Sequence, residues 1–361
     1  MREILEQSLA KVPGVVFGLS RNGVRSFEAL GHRQVAGVNE PLPMTVDTFF
    51  DLASITKVVA TTSALMSLYE QGEFSLDDKV FNFLPEWKSS EKAEISVRDL
   101  LLHRSGLWEW RPLYIADQNP KNAQNRIANI PLRYPINAGR HYSDLGFISL
   151  GEIITSITSE SLSESVNRLV LSPLKLSATS FDHPLGREIA ATSRGDSIEM
   201  KMVETKTPYP VEEQVSDFAG WRKHVLVGEV NDGNAFHLFA GISSHAGLFS
   251  NAQDLLTYGE ALLASIAGGG HFAPSVIKTF TADGPDAEQS LGFRGWADTF
   301  RGCTISLFGH TGFTGTLLAI SPAHHFVATF LTNRIHGEFN SIPMDELWAP
   351  VLKALHAQIH A

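Results

Sequence analysis

Strand patterns lie at the two ends of this 361-residue chain, and the long stretch between them is helical or irregular. Near the N-terminus, two apolar runs flank Asn22-Gly23, a pair that is typical of a tight β-hairpin turn. Three more strands are predicted near the C-terminus, at residues 304–308, 316–320 and 326–332. The two ends are therefore expected to build one antiparallel sheet.

The sequence thus predicts an α/β fold, with an antiparallel sheet flanked by helices and an inserted helical domain. We place the sheet domain at residues 1–72 and 241–361, and the mainly helical domain at residues 73–240. The cleft between them is the expected active site. A long apolar helix is predicted from residue 51 to residue 69, with Gly72 closing it.

Charge and composition exclude several classes of function. The formal net charge is −10 and no Lys/Arg cluster occurs, which argues against a nucleic-acid partner. No run of 18 apolar residues occurs, so no membrane span is predicted. The N-terminus lacks the pattern of a signal peptide; as written the sequence predicts a cytoplasmic protein, or a periplasmic one if a leader has been removed. Cys303 is the single cysteine, and neither a metal nor a cofactor is expected.

The chain lacks the G-x-S-x-G, H-E-x-x-H and P-loop signatures, so Ser-x-x-Lys is the remaining pattern that offers a nucleophile beside a base. This spacing is weak by itself, because it occurs five times. The five pairs are Ser8/Lys11, Ser54/Lys57, Ser89/Lys92, Ser172/Lys175 and Ser275/Lys278.

Local context favours Ser54/Lys57 among the five. Ser54 follows the largely apolar residues 49–53 (Phe-Phe-Asp-Leu-Ala) and begins the most apolar helix, whereas Ser89 lies in a charge run that we expect to be solvated. Side chains three residues apart share one helix face, and desolvation there is expected to lower the pKa of Lys57. A neutral amine could then take the Ser54 proton. The alternative is a helix cap with a lysine that reaches the solvent.

Two further segments complete a family pattern: Tyr142-Ser143-Asp144 before an apolar helix, and residues 309–315 (Gly-His-Thr-Gly-Phe-Thr-Gly) between two strands. With them the chain resembles the penicillin-recognising serine hydrolases of the class C beta-lactamase and D-alanyl-D-alanine carboxypeptidase type. That family carries S-x-x-K, Y-x-N and K-T-G or H-T-G in this order. The resemblance runs nearly end to end and includes residues 13–16, 51–57, 101–107 and 246–250.

The resemblance implies a beta-lactamase/transpeptidase-like fold and a set of roles. Ser54 would be the nucleophile, Lys57 would share its proton, and Tyr142 would carry a proton to the leaving group. The oxyanion hole would be the backbone N–H groups of Ser54 and Phe313. The substrate would lie along the strand edge that carries a catalytic His310 and the substrate-binding Thr311 and Gly312.

Two positions depart from the wider family. Asp144 stands where the family has Asn, which would raise the pKa of Lys57 and disfavour anionic substrates. His310 replaces a permanent cation with a group that titrates near about 6.5, so affinity for carboxylates is expected to rise as the pH falls through that value. Both changes argue against efficient beta-lactam hydrolysis.

Both departures occur in a narrower subgroup, the muropeptide amidases of the N-acetylmuramyl-L-alanine amidase type, which this chain resembles more closely. The matching stretches are Tyr142-Ser143-Asp144, Trp221-Arg222, residues 228–235, residues 244–250 and residues 332–334. Asn231 stands where the subgroup usually has His, which could change specificity. Asp232, Asn234 and His245 are candidates for substrate contact; alternatively they order loops. Trp108 and Trp110 either line an apolar subsite or pack the helical domain.

These observations predict a serine hydrolase that acts through an acyl-enzyme on an amide of a peptidoglycan-derived peptide, as a D-amino-acid carboxypeptidase or a muropeptide amidase. Its partners would be a small molecule or a short muropeptide, with beta-lactams as covalent ligands. One alternative is an esterase of small acyl esters. The other is a non-hydrolysing penicillin-binding sensor, which would require the loss of a catalytic residue.

Overall fold

The computed structural model describes residues 1–182, 186–300, 303–337 and 342–359. Nine strands occur there: β1 Gly14–Arg21, β2 Val24–Gln34, β3 Leu42–Pro43, β4 Phe50–Asp51, β5 Phe249–Ser250, β6 Arg294–Phe300, β7 Cys303–Gly312, β8 Thr316–Ser321 and β9 Phe326–Thr332. Seven of them form one sheet in the order β3-β2-β1-β9-β8-β7-β6, and every pair in it is antiparallel. Strands β4 and β5 pair separately.

Strands from the two ends of the chain meet at the β1–β9 pair, where Val15 lies opposite Thr332. The predicted hairpin is confirmed: β1 and β2 are joined at Asn22 and Gly23, with φ of 52° and 79°. Such angles favour Asn and Gly and match the twist of a tight hairpin. The α/β fold with an antiparallel sheet is therefore confirmed, although strand β6 at the sheet edge was not predicted.

Eleven α-helices lie in the described residues: α1 Arg2–Ser8, α2 Ser63–Glu70, α3 Val97–Leu101, α4 Leu113–Ala116, α5 Ala123–Asn129, α6 Asp144–Thr158, α7 Leu162–Val166, α8 Ser197–Thr205, α9 Ala252–Ile266, α10 Pro274–Thr281 and α11 Met344–Ile359. Shorter 3₁₀ turns and π-helical stretches connect several of them. None of the helices in the described part of the chain is long and apolar enough to cross a membrane.

Both faces of the sheet are covered by helices, because successive side chains of a strand point to opposite faces and the apolar ones pack on both sides. Val15 and Phe17 of β1 pack with α1 and with Trp348 of α11. Val16 points to the opposite face and joins the larger core, which contains Leu256 of α9 and much of the helical region. This period of two is the pattern expected of strands that are buried on both sides.

The helix predicted from residue 51 to residue 69 is wrong at its beginning. Asp51 lies in β4, opposite Phe249, and the chain then makes a 3₁₀ turn at Ala53–Ile55. A π-helical stretch, Lys57–Thr62, precedes α2. The apolar run could not reveal this difference, because a buried strand and a buried helix are both apolar in sequence. The division of the chain at residues 72/73 and 240/241 stays a prediction.

Candidate active site

Ser54 lies on a short turn that joins β4 to the first helical segments. Leu52 donates its backbone N–H to the Leu248 carbonyl at 3.0 Å, and the Ala53 N–H donates to Asp51 Oδ1 at 2.9 Å. Ala53 has a φ of 46°, which a residue other than glycine rarely adopts. The turn is therefore held from two sides in a specific shape, and this shape sets the direction of the Ser54 side chain.

The Lys57 ammonium is fully buried and surrounded by three oxygens. Its Nζ lies 2.9 Å from Ser54 Oγ, 2.9 Å from the His245 carbonyl oxygen and 2.6 Å from Asp144 Oδ1. The ammonium donates hydrogen bonds to the Ser54 hydroxyl and the His245 carbonyl, and it forms an ion pair with Asp144. Lys57 is thus held against the Ser54 hydroxyl by groups from two distant segments.

The protonated state of Lys57 is favoured in this site. Burial is the largest single effect and lowers its pKa, but Asp144 and Tyr142 together outweigh it and raise the pKa above its usual value. The expectation of a net lowered pKa is therefore wrong. The effect expected from Asp144 is confirmed, and the two side chains form an ion pair.

Tyr142 is positioned by the start of α6. The next residue, Ser143, caps the helix by accepting from the Gly146 N–H at 3.1 Å, and its own N–H donates to His103 Nδ1 at 2.9 Å. The Tyr142 ring packs beside His103 and has Lys57 Nζ 5.1 Å from its centroid. The cap therefore brings Tyr142 and, two residues later, Asp144 to the same lysine.

The Tyr142 hydroxyl is buried close to Ser54 and Lys57 but has no hydrogen bond of good geometry with a described residue. Burial raises its pKa, and this effect is opposed by the positive charge of Lys57 and by the nearby Ser54 hydroxyl. Tyr142 is therefore a neutral phenol in the resting site. Its unused oxygen is available to a substrate or to a water molecule.

The end of β7 lies directly against the nucleophile turn. Thr314 Oγ1 donates to the Asp51 carbonyl at 2.8 Å, and Thr316 Oγ1 donates to the Leu52 carbonyl at 3.1 Å. A Cβ on Gly312 would lie 2.3 Å from the Leu52 oxygen and 2.1 Å from Thr316 Oγ1. Glycine is thus required at position 312 for the strand and the turn to approach so closely.

Phe313 follows this contact and is 46% exposed. Its carbonyl accepts a hydrogen bond from Arg334, whose guanidinium also lies 5.1 Å from the Phe313 ring centroid. The backbone at Phe313 is therefore fixed next to Ser54. The oxyanion hole formed by the N–H groups of these two residues stays a prediction.

His310 does not behave as the sequence suggested. It is buried, its Nδ1–H donates to the Thr311 carbonyl at 2.6 Å, and its ring packs against Tyr142. Burial, with Lys57 nearby, lowers its pKa to about 3. The prediction that His310 becomes a cation near pH 6.5 is therefore wrong: a neutral imidazole adjoins Tyr142 throughout the physiological range.

We accordingly expect the affinity for carboxylate ligands to show no step due to His310 between pH 5 and pH 8. The measurement is the inhibition constant of a carboxylate inhibitor and of its methyl ester across this range, for wild type and His310→Gln. The ratio of the two inhibition constants should depend on pH in the same way in both proteins. A step near pH 6.5 that His310→Gln removes would contradict the assignment of a neutral His310.

Asp232 and His245 form a second polar group beside the nucleophile. His245 Nε2 lies 2.9 Å from Asp232 Oδ1, and its Nδ1 lies 2.8 Å from Ser243 Oγ. Burial would raise the pKa of Asp232, but His245 and the Ala235 N–H lower it to about 2. This pair fixes the His245 backbone, whose carbonyl accepts from Lys57.

Asn234 is not part of the site. It is fully buried, its Oδ1 accepts from the Leu113 N–H at 2.9 Å, and its Nδ2 donates to the Arg111 carbonyl at 2.9 Å. The prediction that Asn234 contacts substrate is therefore wrong. Its amide ties the loop before α4 to the 230s segment, which is the loop-ordering alternative.

A cavity of about 370 Å³ opens beside the nucleophile. Six of the predicted site residues line it, and His310, Thr311 and Gly312 follow the adjoining strand edge. The lining residues are Ala53, Ser54, Trp110, Tyr142, Asp144, Ile198, Glu199, Met202, Pro208, Tyr209, Asn231, Asp232, His245, Ala246 and Phe313.

Sequence reasoning missed the cavity wall formed by α8 and the residues after it. Ile198, Glu199 and Met202 carry no motif, and their role follows only from the way α8 packs over the cavity. The two tryptophans differ: Trp110 lines the cavity, whereas the Trp108 ring packs against the guanidinium groups of Arg111 and Arg133, at 5.1 and 4.9 Å from its centroid. An aromatic pair in sequence gave no sign of this difference.

Within the described residues, no group of three or more His, Cys, Asp or Glu side chains is placed to hold a metal ion. A hydroxyl, a lysine and a phenol converge at one end of a cavity that admits a small acyl group.

Comparisons with known proteins agree on the relationship. A family model described as beta-lactamase matches residues 1–353. A protein of Escherichia coli K12, provisionally named a D-alanyl-D-alanine carboxypeptidase, is 30% identical over 83% of this chain and 72% of its own length. An N-acetylmuramyl-L-alanine amidase of Bacillus subtilis 168 is 31% identical over 92% of this chain and 80% of its own length. A class C beta-lactamase structure from Rhodobacter sphaeroides superposes with a TM-score of 0.69, at 19% identity and 99% coverage of both chains, and so shares the fold.

Proposed function

Because this chain belongs to the beta-lactamase family of serine hydrolases, we propose that Ser54 attacks an amide carbonyl of a peptidoglycan-derived peptide and forms an acyl-enzyme. The observation that carries the proposal is the 2.9 Å contact between Lys57 Nζ and Ser54 Oγ at the end of an open cavity. The bond cleaved is that of a D-amino-acid carboxypeptidase or of a muropeptide amidase.

At rest Lys57 is a cation and Tyr142 a neutral phenol, so the reaction begins from the fraction of molecules in which Lys57 is a neutral amine. As Ser54 Oγ bonds to the carbonyl carbon, its proton passes to the Lys57 amine. Tyr142 then delivers its phenol proton to the leaving nitrogen as the carbon–nitrogen bond breaks, and the Lys57 ammonium returns a proton to the Tyr142 phenolate. Water attacks the acyl-enzyme in the same way: Lys57 takes one proton from the water and passes it to Ser54 Oγ as the acyl–oxygen bond breaks. The developing oxyanion accepts from the N–H groups of Ser54 and Phe313.

Replacing Asp144 with asparagine should make the enzyme active at lower pH. Asp144 raises the pKa of Lys57, so its loss lowers that pKa and increases the neutral amine at any given pH below it. The rising limb of kcat/KM against pH is expected to move down by about one unit or more, as for a lost carboxylate in direct contact. The exposed Asp47→Asn is the control. A limb that stays in place, or moves upward, would show that Lys57 is not the titrating base.

An esterase activity on small acyl esters is the second candidate, and the ion pair of Lys57 with Asp144 favours it. A lysine that rests as a cation is a weak base, and an ester needs less protonation of its leaving group than an amide. The alternative of a non-hydrolysing sensor requires a missing group, whereas Ser54, Lys57 and Tyr142 are all in place.

A panel of muropeptides tests the choice of bond. Release of free D-alanine identifies a carboxypeptidase, release of an intact peptide from the muramyl lactyl group identifies an amidase, and both products are resolved by mass spectrometry. A fluorescent penicillin in the same assay detects the covalent beta-lactam adduct. Turnover of a p-nitrophenyl ester without any reaction of the panel would replace the amide proposal with the esterase.

A further inference from the structure

The cavity beside Ser54 combines an apolar wall with buried acids. Its apolar lining is Trp110, Ile198, Met202, Pro208, Tyr209 and Phe313, and the Trp110 and Tyr209 ring centroids lie 6.4 Å apart. The Ser54 hydroxyl is at one end, so this volume is where one side of a bound substrate must lie. About 370 Å³ accommodates a side chain of amino-acid size.

Three carboxyl groups face this volume, and two of them have cationic or imidazole partners. Asp144 is paired with Lys57, and Asp232 is hydrogen-bonded to His245. Among the described residues that line the cavity there is no lysine or arginine. An anionic group placed here would therefore meet like charges and find no facing cation.

Glu199 is the carboxyl without a cationic partner in the described structure. Its Oε1 accepts from the Gly233 N–H at 2.7 Å, and its Oε2 accepts from the Tyr114 hydroxyl at 2.7 Å. Burial and the negative charge of Asp232 raise its pKa to about 8. These two neutral donors fix the carboxyl in the wall, and with this pKa it is mostly protonated at pH 7 while the cavity is empty. A cation bound against it would lower its pKa and leave it ionised.

We propose that this cavity binds a protonated amine on the acyl part of the substrate, with Glu199 as the counter-charge and Trp110 and Tyr209 as the aromatic walls. A carboxylate beside aromatic faces is the chemistry that selects an ammonium group over a neutral or anionic one. The inference rests on the proposed function, since the acyl group must lie next to Ser54. It narrows the substrates to those with a free amino group or a basic side chain near the scissile bond.

Binding can be tested separately from hydrolysis in the Ser54→Ala protein. The probes are benzylammonium, benzyl alcohol and benzoate, which share one ring and differ in charge. The measurement is the dissociation constant by ligand-detected NMR at about pH 8.5, where Glu199 is largely ionised and the ammonium probe is still largely protonated. Benzylammonium should bind at least about tenfold more tightly than the alcohol, with benzoate weakest. Equal binding of ammonium and alcohol, or tightest binding of benzoate, would overturn the proposal.

Two substitutions and a matched control locate the effect. Glu199→Gln should reduce the preference for benzylammonium over the alcohol by about tenfold, whereas Glu204→Gln, exposed on the same helix, should leave the preference unchanged. Tyr209→Leu removes an aromatic wall and should weaken the ammonium more than the alcohol, which keeps the test decisive if Glu199→Gln folds poorly. A preference that survives both changes would sink the assignment of this cavity.

Failure of this inference and failure of the proposed function are distinguishable. Ester or amide turnover that depends on Ser54, together with no ammonium preference, overturns the inference alone. A clear ammonium preference in Ser54→Ala, together with wild-type turnover that does not depend on Ser54, overturns the proposed function alone.

Discussion

The Ser54→Ala protein is expected to lose at least about 1,000-fold in kcat/KM for a p-nitrophenyl ester and to form no covalent adduct with a penicillin. The hydroxyl oxygen is the atom that must bond to the carbonyl carbon, and no other described side chain is held 2.9 Å from Lys57 Nζ in a nucleophilic role. The readouts are steady-state kinetics and the intact mass after incubation with the penicillin.

Ser89→Ala is the matched control for this change. Ser89 also precedes a lysine by three residues, and that lysine, Lys92, is also buried. The control should keep wild-type kinetics and the penicillin adduct. A mass shift that persists in Ser54→Ala and disappears in Ser89→Ala would show that Ser89, and not Ser54, is the nucleophile.

The two buried lysines show why the sequence could narrow the nucleophile but not derive its chemistry. Ser89/Lys92 was expected to be solvated, yet Lys92 is 1% exposed and donates to the Ala128 and Ile130 carbonyls at 3.0 and 2.5 Å. Burial therefore does not distinguish a catalytic lysine from a structural one. Lys57 differs from Lys92 in the groups that contact its ammonium. Two of these, Asp144 and the His245 carbonyl, come from distant parts of the chain.

The order of motifs was sufficient to predict which residues meet, since the S-x-x-K, Tyr142 and strand-edge segments do converge. It was not sufficient to predict their protonation. The pKa of His310 depends on burial behind Tyr142 and next to Lys57, and that of Lys57 depends on a 2.6 Å contact. Such terms depend on distances that no spacing in sequence contains.

The residues of the cavity wall were even harder to predict from the sequence than the protonation states. Glu199 is one of many acidic residues and lies in no recognised motif; its position is set by Gly233 and Tyr114, which belong to two other segments. The family pattern describes the groups that do the chemistry. The group that a substrate presents to this wall is decided by residues that such a pattern omits, and for this reason the reaction class was easier to infer than the substrate.

Lys57→Met should lower kcat/KM by about 1,000-fold, because methionine fills a similar volume but can neither accept the Ser54 proton nor stabilise a Tyr142 phenolate. The change also leaves Asp144 without its cation in a mostly buried site, so the melting temperature is expected to fall. The pH profile separates the two effects: the limb that reflects Lys57 should vanish from whatever activity remains.

Lys92→Met is the control that separates an effect on stability from an effect on catalysis. It removes a fully buried ammonium and its two carbonyl contacts, and should cost about 1–3 kcal/mol of stability by leaving those carbonyls unpaired. Activity per folded molecule should nevertheless stay within about twofold of wild type, since no reacting atom loses a partner. If Lys57→Met and Lys92→Met lowered stability alike and both kept their turnover, the amine of Lys57 would be structural, and the base would have to be sought in Tyr142 alone.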